Sequence, residues 1–139
     1  MLSLESITMD NTVYRVRVVY DSMALHFELV EGTNAGRMLS GRKEYALAGS
    51  AYGHRLTVEP DPMHRADFDA FVHAISAPVP SHHVELPYGQ TTIDYDAHVT
   101  SGDVKFLGRL GGQNIWGGID VYYDPLEPQR LPDDDEGDW

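Results

Sequence analysis

The chain has 139 residues, 42% hydrophobic and 23% charged, with no cysteine and a net charge of −12. That length suits one domain with a real core, and the absence of cysteine rules out disulfides and thiolate metal sites and fits a reducing cytosol. Ten basic residues against 22 acids oppose stable nucleic-acid binding, which needs clustered Lys and Arg. No apolar run is long enough to span a membrane, and MLSLESITMDN lacks the basic-then-apolar order of a secretory leader.

In chain order, residues 13–20 alternate, with Tyr14, Val16, Val18 and Tyr20 on one face. Asp21-Ser22 reads as a turn, and Leu25, Phe27 and Leu29 begin a second alternation against His26 and Glu28. The pattern predicts an antiparallel hairpin. Residues 31–43, rich in Gly, Asn and Ser, read as a loop carrying Arg37, Arg42 and Lys43. Strand character resumes over 44–59, where Gly49 and Gly53 predict a bulge, a bend or a break.

Residues 61–76 give the one clear helix, expected over about 62–76. Asp61 suits the N-cap and Pro62 the first helical position. Phe68, Phe71, Val72 and Ile75 fall at i, i+3, i+4 and i+7, a single apolar stripe. A helix this short is marginal alone, so the stripe must pack on a sheet. Strands are expected again at 82–87, 91–99, 104–110 and 113–123, separated by Pro87-Tyr88-Gly89, Ser101-Gly102-Asp103 and Gly111-Gly112. The clearest alternation sets Ile93, Tyr95, Ala97 and Val99 against Thr92, Asp94, Asp96 and His98. Residues 131–139 form an acidic tail with too little apolar content for order alone, leaving 1–130 as one domain. The fold class is mainly β (α+β): a β-sandwich or split β-barrel of about 6–8 strands with one flanking helix.

No catalytic constellation emerges. GTNAGR and GRLGGQNIWGG lack the Lys-Ser/Thr ending of a phosphate loop. Ser40-Gly41-Arg42-Lys43 has Ser-x-x-Lys spacing but lies in a loop without its partner motifs. His82 and His83 are adjacent, so on a strand they point to opposite faces and only one can join His98; His64 and His73 are nine positions apart. Asp94 and Asp96 share a strand face, read as solvated rather than as an acid/base pair. Asp133, Asp134, Asp135, Glu136 and Asp138 lack the Gly and closing Glu of a calcium loop. The expectation is a non-enzyme with no cofactor and no metal.

The phrases NAGRMLSGR (34–42), ISAPVPSHHVELPYG (75–89) and WGGIDVYYDPLEPQR (116–130) resemble small tail structural proteins of tailed phages and prophages. The order of elements is similar to tail-tube proteins and to the N-terminal domain of distal tail proteins. The likeness covers nearly all of residues 12–130, in short motifs without catalytic meaning. It implies packed sheets with the helix at their side and a homo-oligomeric ring, usually sixfold, that meets other tail proteins. It also implies a virion tail location, with assembly in the host bacterial cytoplasm. No second domain is expected after residue 130, unlike full distal tail proteins, so tube, distal-tail and baseplate roles all stay open. Arg37, Arg42 and Lys43 in the loop, with Arg65 and Asp69 on the helix, are the expected assembly contacts. The alternative is a carbohydrate- or receptor-binding β-sandwich module using Trp116, Tyr122 and Tyr123 with Tyr52, Tyr88 and Tyr95.

Overall fold

A computed structural model describes residues 5–31, 36–37, 43–44 and 47–131. The strands are β1 (Ile7–Met9), β2 (Thr12–Tyr14), β3 (Arg17–Val18), β4 (Ala24–Glu31), β5 (Gly36–Arg37), β6 (Lys43–Glu44) and β7 (Leu47–Glu59). After the helix α1 (Arg65–Ile75) come β8 (His82–Tyr88), β9 (Thr91–His98), β10 (Val104–Leu110) and β11 (Gln113–Pro125). The protein is mainly β: nine strands form one antiparallel sheet that does not close into a barrel. β5 and β6 make a separate two-stranded ribbon.

Two 13-residue strands, β7 and β11, hold the sheet together. They pair antiparallel from Ile119↔Val58 to Tyr123↔His54. Along its other side β7 takes β3 and then β4 in succession. β11 likewise pairs with β10 near its start and with β9 at its end. Beyond β9 the order continues through β8 and β1 to β2.

The hairpin expected from residues 13–29 does not form, because β3 and β4 are one interrupted strand along β7. Asp21 lies at φ 68°, in the left-handed region that turns the chain outward. Ser22 Oγ repairs the gap: it donates to Val19 O at 2.6 Å and accepts from the Thr57 N–H at 3.1 Å. Asp21-Ser22 therefore makes a bulge, not a reversal. A real hairpin precedes it, where Asp10 and Asn11, at φ 53° and 63°, join β1 to β2. The glycines of β7 do not break it; beside Gly49, at φ 147°, the strand bulges, because Val30 faces Gly49 while Glu31 faces Leu47 and Ala48 is the extra residue. Pro87 and Tyr88 belong to β8, and the turn follows them at Gly89, φ 57°.

The helix starts at Arg65, later than the expected 62. Asp61 does not cap it. Its side chain accepts the Met63 N–H at 3.0 Å and its carbonyl accepts the His64 N–H at 2.8 Å, forming a separate turn that contains Pro62. Asp67 supplies the negative charge in the first helical turn. It also ties the helix to the β2–β3 junction, accepting from the Arg15 backbone N–H at 2.8 Å and from Arg15 Nε at 3.0 Å.

The apolar stripe packs as its spacing demands. Phe68, Phe71 and Ile75 are buried and Val72 lies half-buried against the same core. Around them gather Ile7, Met9, Val84, Leu86, Tyr95 and Ala97 from one half of the sheet, and Val18, Leu56, Val58, Ile119, Val121 and Tyr123 from the other. Tyr14 meets Phe71 edge-on at 5.7 Å.

Candidate functional site

A cleft of about 550 Å³ opens between the first turns of α1 and the β10–β11 hairpin. Its walls include Arg65 and Asp69 from the helix, Arg17 and Glu59 from paired strand ends, and Leu107 and Trp116 from the hairpin. Helical spacing places Arg65 and Asp69 one turn apart on the same face. Arg17 Nε stands 3.8 Å from Glu59 Oε1, a half-exposed and weak pair. Trp116 is braced edge-on by Phe106, with ring centroids 5.0 Å apart. The cleft thus offers an aromatic surface, two guanidinium groups and two carboxylates. This arrangement suits binding a polar surface.

The five expected assembly residues separate into two groups. Arg65 and Asp69 meet at the cleft. Arg37 and Lys43 are paired across the β5–β6 ribbon at the backbone level; their side chains, Arg42 and the acidic tail beyond Leu131 lie outside the described residues.

The expected aromatic platform is dispersed. Tyr95 and Tyr123 belong to the core. Tyr52 packs edge-on against Tyr88 at 5.1 Å, and Tyr122 lies under the Arg55 guanidinium at 4.7 Å. Only Trp116 reaches the cleft.

A second polar cluster surrounds the β1–β2 turn. His83 lies between two carboxylates, with Nδ1 2.9 Å from Asp96 and Nε2 3.2 Å from Asp94. Its pKa is raised, first by the Asp96 hydrogen bond. The side chains of Asp94 and Asp96 are 67% and 61% exposed, so this pair sits on an open strand face. Asp10 accepts from the His83 backbone N–H at 2.9 Å, and its other oxygen meets His82 Nδ1 at 2.7 Å. Burial pushes the Asp10 carboxyl upward, but these hydrogen bonds outweigh it and hold the pKa low. Among the described residues no group of three or more His, Asp or Glu side chains is arranged to hold a metal ion.

The third polar feature is internal. His54 is fully buried. Its Nε2 lies 2.7 Å from the Pro87 carbonyl, which only accepts, so Nε2 carries the proton. Nδ1 is therefore the acceptor, and the Tyr95 hydroxyl donates to it at 2.7 Å. Burial lowers the His54 pKa and favours this neutral tautomer.

Sequence reading missed Arg17 and Glu59 as cleft residues, because neither belongs to a recognisable motif. It also missed the exposed apolar side chains on the two outer strands. Leu25, Phe27 and Leu29 do share a face of β4, but that face is open to solvent. Phe106, Leu107 and Leu110 stand exposed on β10. No protein-family model matches the chain, and no curated protein matches it.

Proposed function

We propose that the chain is a non-enzymatic structural subunit that works by self-assembly, forming a homo-oligomeric ring of the phage or prophage tail type. The observation that carries this reading is the pair of apolar sheet margins that no described residue covers. Among the described residues β4 pairs only with β7, and β10 only with β11. Each therefore presents a free strand edge beside exposed Leu and Phe side chains. Such an edge is a template for another strand, and monomeric proteins usually protect it. A margin on each side of the sheet suits a head-to-tail contact, which closes into a ring when the rotation permits. The phrase-level likeness to tail proteins supplies the biological setting, and a net charge of −12 suits a channel wall that repels the nucleic acid passing through it. The ring would be sixfold, meet other tail proteins and reside in the virion tail.

The test is assembly. Sedimentation and negative-stain imaging, alone and with tail partners, should show rings or tubes. Phe27→Lys with Phe106→Lys should leave the monomer folded and abolish those particles. A protein that stays monomeric in every mixture overturns the reading.

The cleft favours one second reading, a carbohydrate- or receptor-binding module. Trp116 presents an aromatic surface between charged hydrogen-bonding groups, as sugar recognition requires. Saturable binding on a glycan array, lost in Trp116→Ala, would select it over assembly.

A further inference from the structure

After Tyr123 the chain leaves β7 for β9, where Asp124 pairs with His98 and the Leu126 N–H bonds to Asp96 O at 3.0 Å. It then returns to β7. The Ser50 N–H donates to Arg130 O at 2.7 Å, and the Arg130 N–H donates to Ser50 O at 3.2 Å. Two residues along, the Gln129 side chain takes the place of a peptide group. Its Oε1 accepts the Tyr52 N–H and its Nε2 donates to Tyr52 O, both at 2.7 Å. Alternate residues of a strand direct both backbone groups to the same side. Ser50 and Tyr52 therefore have both groups satisfied by the strap of residues 128–130. The approach is close enough that a Cβ on Gly49 would collide with Arg130 O and Pro128.

We propose that this strap is an autoinhibitory guard, which keeps the 49–53 edge of β7 from pairing with the same edge of a second copy. Gly49-Ser50-Ala51-Tyr52-Gly53 contains no charge and no proline, so it lacks the usual side-chain protection of a strand edge. Elsewhere a net charge of −12 opposes close approach of two copies; this stretch is neutral. Two such edges related by a twofold axis form an antiparallel, self-complementary contact. That contact is distinct from a ring through β4 and β10, and the guard holds whether or not the ring forms.

Gln129→Ala tests it. Losing two hydrogen bonds should raise strap opening roughly ten- to thirtyfold, read as faster hydrogen exchange at Ser50 and Tyr52, and should produce a dimer by sedimentation. Placing the change in the Phe27→Lys, Phe106→Lys background separates this dimer from ring assembly. Faster exchange without dimers overturns the proposal, as does unchanged exchange. Because the chain has no cysteine, Ser50→Cys with Arg130→Cys gives a second arm. Directly opposed residues lie within disulfide reach. The oxidised form should dimerise less than the reduced form, and equal dimerisation overturns the guard.

Discussion

His54 shows how a single buried polar side chain fixes its surroundings. One ring nitrogen donates to Pro87 O and the other accepts from Tyr95, while the imidazole and phenol rings stack with centroids 5.7 Å apart. Because burial lowers its folded pKa, the unfolded chain binds its proton first. The contribution is complete above the ordinary value of 6.5 and is lost as pH falls from there toward the folded value. His83 has the opposite sign: its folded pKa is raised, so its contribution is complete below 6.5 and fades as pH rises through the folded value. His54→Phe should leave the Tyr95 hydroxyl and Pro87 carbonyl unpaired, costing about 1–3 kcal/mol for each. Urea titrations between about pH 5 and 8 should also show a flatter acid limb in this variant. An unchanged pH profile would remove His54 from the acid response.

At the scale of elements, α1 is held by its stripe and by one specific tether. Phe71 is fully buried and meets Tyr14. Phe71→Ala should cost about 3–5 kcal/mol by removing that packing, measured by chemical denaturation; a loss within 0.5 kcal/mol, the range of surface changes, would contradict the core assignment. Asp67 joins the helix dipole to the Arg15 backbone. Asp67→Ala should increase hydrogen exchange at Arg15 while leaving β8 and β9 protected. On the outer side of the same helix, Arg65 and Asp69 face the cleft. Reversing both charges should preserve the fold and weaken assembly if a neighbouring subunit enters there; unchanged particles would place the contact elsewhere.

For the whole molecule, the open sheet and the negative charge act against one another. On the proposed reading the apolar β4 and β10 margins, uncovered among the described residues, favour association, whereas charge −12 opposes it over a distance of about 10 Å at 0.1 M salt. Added sodium chloride should therefore promote self-association of the native protein, followed by light scattering. A decrease with salt would instead identify specific ion pairs as the dominant joint.

Local periodicity carried much of the fold. The helical stripe at Phe68, Phe71, Val72 and Ile75, and the alternation of residues 91–99, are repeats that depend only on backbone geometry, and both appear in the structure. The same signal could not choose strand partners. Residues 17–18 and 24–31 look like two arms of a hairpin because a bulge and a reversal use similar residues; the ladder to β7 decided between them. Arg65 and Asp69 were readable as one helix face, but their meeting with Arg17, Glu59 and Trp116 was not. Sequence determined which residues repeat along each element. Tertiary structure decided which faces remained open, because burial depends on neighbours distant in the chain.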